Sequence, residues 1–350
     1  MITTRRRAKP LIDLRSDTIT QPTEAMRRAM TQAKLGDDYY REDPTVRRLE
    51  ALSAELLGQE AGLFVTSGTM GNLVSVLTHT RRGEAIIVEA SSHVYLHENG
   101  GLAALAGVLP RPVVGVRGVM APEEIEAALF DDEPLHSRNR LICIENTHNA
   151  AGGTCWSMAA LRAAREVADR HNLAIHVDGA RIFNAAVALD LSPERLAAPA
   201  DSLTFCLSKG LSCPYGSLIV GPQDFIAEAR RNRQLVGGGV RQAGVMAAAG
   251  IIALETMIER LAEDHHHAQL LAEGLLALGL ELELESVQTN MVFCQMPAGK
   301  LTPEELVRRL GELGVQINPP RGGRIRLVTH YGITEDDIRR TLRAAERALP

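Results

Sequence analysis

Lys209 stands where the apolar run Ser202–Leu207 breaks into Ser-Lys-Gly-Leu-Ser-Cys-Pro-Tyr-Gly (residues 208–216), a turn rich in glycine, serine and proline. A lysine leaving a buried strand loses hydration, which favours its neutral amine, and a neutral amine condenses with a carbonyl to a Schiff base. The plain alternative is a lysine that snorkels from a strand end. Four more apolar runs end in polar groups. Val65-Thr-Ser-Gly-Thr-Met-Gly-Asn72 is a glycine-rich entry to a helix, where the N–H groups of Gly68 and Thr69 could hold a phosphate. It lacks the P-loop lysine and the dinucleotide spacing of glycines, and a structural turn would read the same way.

In His176-Val-Asp-Gly-Ala-Arg181, alternation puts His176 and Asp178 on one strand face, with Arg181 after the turn. These form either an ion pair or a site in which Asp178 meets a heterocyclic nitrogen and Arg181 a carboxylate. His93, in Ser91-Ser-His-Val-Tyr95, could stack on a flat ring or exchange a proton near neutrality, or be an ordinary loop histidine. Glu145-Asn-Thr-His-Asn149 closes the fourth run. A Schiff-base lysine, a phosphate turn, an acid for a ring nitrogen and a stacking histidine match the parts of one molecule, pyridoxal 5'-phosphate (PLP).

Positioning these groups requires strands that end together. Apolar runs at Gly62–Thr66, Ala85–Glu89, Arg140–Glu145, Leu173–Val177, Leu203–Leu207 and Ser217–Val220 alternate with helical stretches such as Met70–Thr80 and Met158–Arg170. That pattern predicts an α/β fold with a mostly parallel sheet covered on both faces, with ligands at the carboxyl ends of its strands. Before it come an extended segment, Leu11–Thr20, a helix over Thr23–Lys34 and an acidic loop, Gly36–Thr45, read as surface. In that loop Asp43 is a candidate N-cap for a helix over Thr45–Leu57, with Pro44 at its first position. After a helical stretch at Val240–Asp264 the alternation stops. Strands at Leu280–Leu284, Asn290–Gln295, Val315 and Ile325–Val328, with helices Pro303–Leu313 and Glu335–Leu349, predict a smaller α+β domain. The expected division is an N-terminal arm over 1–20, a large PLP-binding domain over 21–255 and a small domain over 256–350. Glu281, Glu283 and Glu285 read as the wet face of a strand, and His265-His266-His267 as a solvated run rather than a metal site.

The motifs taken together resemble those of the low-specificity L-threonine aldolases, fold-type I PLP enzymes close to the β-eliminating lyases. The matching strings are Leu14-Arg-Ser-Asp-Thr18, Gly36-Asp-Asp with Glu42-Asp-Pro-Thr45, Ser67-Gly-Thr-Met-Gly-Asn72, Glu145-Asn-Thr-His-Asn149, His176-Val-Asp-Gly-Ala-Arg181, Leu207-Ser-Lys-Gly-Leu211, Gly237-Gly-Gly-Val-Arg-Gln242 and Arg326-Leu-Val-Thr-His330. The resemblance implies Lys209 as the Schiff-base lysine, Asp178 at the pyridine nitrogen, His93 on the ring, and Gly68 and Thr69 at the phosphate. Arg241 would reach the phosphate of a neighbouring subunit, and Ser16, Arg181 and Arg326 would grip the substrate carboxylate. His136 corresponds to a family histidine near the substrate hydroxyl, although its spacing to the next strand is one residue short. The implied reaction is retro-aldol cleavage of L-threonine, L-allo-threonine or a relative such as phenylserine to glycine and an aldehyde, in a dimer or tetramer. The rivals are a β-eliminating lyase, an aminotransferase and an inactive scaffold that binds a phosphometabolite. Departures from the family pattern fall near the substrate mouth: Arg41 for a glycine, His97 for Tyr or Phe, Tyr215 for a small residue, Gln234 for a lysine, and Tyr331-Gly-Ile for an Asp-Val pair.

The totals fit this reading. The chain is 45% hydrophobic and 23% charged with net charge -5, which gives no footprint for a nucleic-acid partner. Arg5-Arg6-Arg7 with Lys9 has no apolar region behind it and reads as a solvated tail. Five scattered cysteines without a Cys-x-x-Cys pair suggest reduced thiols, and no run approaches a membrane span, so a cytoplasmic protein is expected.

Overall fold

The computed structural model describes residues 11–299 and 301–349, so the basic run at Arg5–Lys9 lies outside the described residues. The strands in chain order are β1 (Ile12–Asp13), β2 (Ala61–Val65), β3 (Ala85–Glu89), β4 (Leu109–Val113), β5 (Asn139–Glu145), β6 (Ala174–Asp178), β7 (Ser202–Cys206), β8 (Ser217–Gly221), β9 (Met291–Gln295), β10 (Val315–Gln316) and β11 (Arg324–Val328). Four helices bear on the site or its loops: α1 (Glu24–Thr31), α2 (Pro44–Leu56), α3 (Gly68–His79) and α4 (His93–Leu96).

Two compact units divide the chain. One runs from Thr20 to Ala262; the other joins the described residues up to Ile19 with those from Glu263. In the first, seven strands form one sheet in the order β2-β8-β7-β6-β5-β3-β4. β8 opposes both of its neighbours and the rest run one way, so the carboxyl ends of β2, β3, β5, β6 and β7 share an edge. Alternation explains why these strands read as unbroken apolar runs. Ile142 and Ile144 of β5 join one core cluster while Leu141 and Cys143 join another, so both faces are buried.

β4 escapes the sequence pattern because Leu-Pro-Arg-Pro-Val carries Pro110 and Pro112. Proline cannot donate to a ladder, and β4 is tolerated because it lies at the sheet edge. The acidic loop is also not plain surface. Asp43 caps α2 through Oδ1, which accepts from Thr45 and Val46 N–H, and its Oδ2 accepts from Gly36 and Gly244 N–H. Asp38 is buried against Arg233 at 2.7 Å.

In the second unit, β1 pairs in parallel with β10 and β11 pairs antiparallel with β9. The amino-terminal segment is thus a strand of this unit. The strand expected at Leu280–Leu284 reduces to one bridge, Glu281 to Gln295, followed by a 3-10 turn at Leu284–Ser286. All three glutamates are exposed there, but not as an alternating strand face. The Val240–Asp264 stretch resolves into Gly244–Thr256 and the start of Leu261–Ala277. In the latter helix His266 is exposed, His267 is buried, and burial pushes His265 down to about 4. The run is therefore split between core and surface by helical geometry. All five cysteines are free thiols, and no helix among the described residues is long and apolar enough to cross a membrane.

Candidate active site

The shared edge of the sheet collects the chemistry. Asp178 ends β6 beside Glu145 of β5 and Thr204 of β7, is 4% exposed, and accepts from Ala180 N–H at 3.1 Å through Oδ1. Its Oδ2 accepts from Asn72 Nδ2 at 2.8 Å, and the same amide nitrogen donates to Glu98 Oε1 at 2.8 Å. Glu98 in turn meets His93 Nδ1 at 2.9 Å. That hydrogen bond raises the His93 pKa against the opposing effects of burial and of the Lys209 charge, with Asp178 adding to the rise. Burial lifts the Glu98 pKa as well, so the pair holds its proton firmly. Lys209 follows the end of β7 by three residues, and Asp178 is the last residue of the neighbouring parallel β6, so both belong to this edge. The Lys209 turn is fixed through its carbonyl, which accepts from Thr20 Oγ1 at 3.0 Å and Ser212 N–H at 2.9 Å.

Gly68 and Thr69 open α3. Ser67 caps the helix by accepting from Met70 N–H at 3.2 Å, and the first N–H groups of a helix have no acceptor within it. A Cβ on Gly68 would lie 2.8 Å from Cys206 Sγ, so only glycine lets the turn sit against the end of β7. Beside it, Ser217 Oγ is buried without a protein partner. A bare helix entry with a spare hydroxyl suits a phosphate, an anionic Asp178 suits a protonated ring nitrogen, and Lys209 suits an aldehyde. The residues present therefore fit PLP.

His93 starts at a loop fastened from below. Its N–H donates to Glu145 Oε2 at 2.6 Å, and Asn149 N–H donates to Glu145 Oε1 at 2.8 Å. His148 Nε2 lies 2.9 Å from Glu89 Oε2 and 3.9 Å from Glu145 Oε2, fully buried. Burial opposes its protonation, but Glu89 and Glu145 outweigh burial and raise its pKa. Glu89 is held down at about 2 because hydrogen bonds from His148 and Ser91 overcome its own burial.

Other predicted residues are distributed as follows. Arg181 is buried at the start of the helix Ile182–Leu189. His97 follows α4, exposed, with its ring 5.7 Å from that of His93. Arg241 is half exposed, 3.3 Å from Asp37 and over the Tyr39 ring, in a cleft of about 480 Å³ that Gln234 also lines. In the second unit, Arg326 Nη1 donates to the carbonyl of Arg15, the neighbour of Ser16, at 3.4 Å. His136 lies away from this edge. It precedes β5, exposed against Phe130 in a cleft of about 630 Å³. A seven-residue strand separates it from the edge that carries Asp178, roughly 20 Å away in the same chain. Arg41 adopts φ 60°, the left-handed conformation that glycine takes freely, which explains why glycine serves the same turn.

Glu98 and the amide of Asn72 were not assigned from sequence. The one available signal was Glu98 preceding the turn Asn99-Gly100, both at positive φ, which marks a loop folding back.

Comparison with known proteins agrees with this geometry. The β-eliminating lyase family model matches residues 13–297. A low-specificity L-threonine aldolase of Arabidopsis thaliana is 45% identical over 97% of this chain and 96% of its own. The low specificity L-threonine aldolase of Escherichia coli K12 is 42% identical over 94% of this chain and 96% of its own. Among solved structures, a threonine aldolase of Leishmania major superposes with a TM-score of 0.82 at 21% identity, covering 96% of this chain and 99% of that one. A serine palmitoyltransferase of Sphingomonas wittichii superposes at 0.76 and 18% identity, over 97% and 89%. The fold is that of fold-type I PLP enzymes, and the chain belongs to the β-eliminating lyase family, within its low-specificity L-threonine aldolase group.

Proposed function

We propose that this chain is a PLP-dependent aldehyde-lyase that cleaves L-threonine, L-allo-threonine or a related β-hydroxy-α-amino acid such as phenylserine to glycine and an aldehyde. The convergence of Lys209, Asp178 and His93 at one sheet edge carries the reading. When bound, PLP supplies a carbonyl for the substrate amine and an electron sink for the pair left at Cα when the Cα–Cβ bond breaks. Asp178, oriented by the hydrogen bonds it accepts from Asn72 and Ala180, would pair with the ring nitrogen and hold a proton there. Arg181 offers a planar fork for the substrate carboxylate, which fixes the bond that faces the ring. His93, tied to Glu98 through Nδ1, has Nε2 left to take the β-hydroxyl proton. Lys209 returns a proton to Cα as glycine forms. The reading includes a cytoplasmic homodimer or homotetramer in which Arg241 serves the phosphate of a neighbouring subunit.

The test is product analysis. The protein purified with PLP and given L-threonine or L-phenylserine is expected to yield acetaldehyde or benzaldehyde with equimolar glycine, and Lys209→Ala to lose both turnover and visible absorbance. Pyruvate would indicate β-elimination, a keto acid an aminotransferase, and a colourless wild-type protein a scaffold; each outcome overturns the proposal.

A further inference from the structure

Behind Asp178 runs a chain of hydrogen bonds that the reaction does not itself require. Asn72 Oδ1 lies 3.1 Å from His176 Nε2, His176 Nδ1 lies 2.8 Å from Ser202 Oγ, and Ser202 Oγ lies 2.7 Å from His79 Nε2. Asn72, His176 and Ser202 are each at most 1% exposed. Their donor and acceptor roles follow from one fixed point. The Asp178 carboxylate only accepts, so Asn72 must turn its NH2 toward Asp178 and Glu98 and its carbonyl toward His176. That carbonyl needs a donor, which makes His176 the Nε2–H form. Its bare Nδ1 then takes the Ser202 hydroxyl proton, and the Ser202 oxygen takes the N–H of His79. Reversing His176 or Ser202 sets two acceptors or two donors face to face between buried side chains.

We propose that His79, Ser202 and His176 are positioning residues that lock the Asn72 amide, so that one side chain aims a donor at each of two carboxylates: Asp178, which serves the cofactor ring, and Glu98, which holds His93. This inference rests on the proposed PLP site. The burial that pushes His176 down to about 3 and His79 to about 4 keeps both rings neutral, which the one-way chain requires. The partners are 104 and 123 residues apart in sequence, so the chain also ties α3 to β6 and β7 beneath the site.

Two measurements test it. In the apo-protein labelled with 15N-histidine, long-range 1H–15N correlation at pH 7.5 is expected to find His176 in the Nε2–H form alone. The Nδ1–H form, a mixture or a doubly protonated ring would overturn the proposal, whatever the protein binds. Next, PLP is titrated into apo-protein. Ser202→Ala is expected to leave His176 in the Nε2–H form, deprive its Nδ1 of the hydroxyl donor and weaken PLP binding about three- to tenfold, the effect of losing one hydrogen bond. A lowered apo Tm with unchanged PLP affinity would assign the chain to stability alone and overturn the inference. If wild-type apo-protein takes up no PLP, the proposed function fails, while the tautomer still decides the chain.

Discussion

His176, within β6, and His148, just past the neighbouring β5, are both buried, with pKa values shifted in opposite directions. His176 bonds the Ser202 hydroxyl and the Asn72 carbonyl, and burial drives it down to about 3 against the opposing pulls of Asp178 and the Ser202 backbone. His148, three residues past β5, faces Glu89 at 2.9 Å and Glu145 at 3.9 Å, which raise its pKa despite the same burial. Desolvation is common to both, so the difference comes from the partners: neutral dipoles orient an imidazole, whereas carboxylates charge it. The division suits the site. The neutral chain lies behind Asp178 and adds no net charge beside the ring-nitrogen position. The charged cluster lies under the loop of His93, where it joins the turns after β3, β4 and β5 through Ser91, Gly115 and Asn149.

The largest expected effect comes from breaking the charged cluster. Glu89→Ala removes the nearer counter-charge of a buried imidazole together with acceptors for Ser91 and Gly115 N–H. Unfolding in urea should show a loss of about 3–5 kcal/mol. A loss below about 1 kcal/mol would mean that His148 is as neutral as His176, and the contrast would collapse.

How far this contrast could be read from sequence depends on distance along the chain. Strands β3, β5, β6, β7 and β8 were legible because both faces are buried and their runs are mostly apolar, whereas Pro110 and Pro112 hid β4 and alternating leucines at 280–284 imitated a strand. Lys209, Asp178 and His93 were legible because each sits in a local string that ends a strand. The partners were not. Asn72 and Asp178 are 106 residues apart, and nothing local in Asn72 distinguishes a helix-surface amide from one that serves two carboxylates. The opposite pKa shifts of His148 and His176 were equally hidden, since they depend on side chains far off in sequence, Glu89 for one and Asn72 and Ser202 for the other. His136 lies in none of the matching strings, and the length of β5 puts it at the far edge of the sheet in the same chain.

The pH dependence of folding sharpens the comparison, and the neutral chain should give the stronger signal. Between pH 6.5 and about 3 the unfolded chain takes up a proton that folded His176 refuses, so its contribution is complete above pH 6.5 and is lost as pH falls; His79 acts likewise down to about 4. His176→Gln keeps an amide in place of the ring and removes one proton from this linkage. The fall in stability from pH 6.5 to 5 should become shallower by up to about 1.4 kcal/mol per pH unit. An unchanged slope would mean that folded His176 is protonated.

The smallest effect lies on the alkaline side and has the opposite sign. His148 gains affinity for its proton on folding, so its contribution is complete below pH 6.5 and declines as pH rises through the raised folded value. Burial subtracts from the pull of Glu89 and Glu145, which limits the width of that window. His148→Gln lowers stability at every pH but should flatten the decline above pH 6.5 seen in the wild type, while His176→Gln leaves that decline alone. Melting temperatures of the two variants at closely spaced pH values therefore separate the charged histidine from the neutral one. If both variants flatten the same limb, partner identity does not set the charge, and the two clusters must be explained by burial alone.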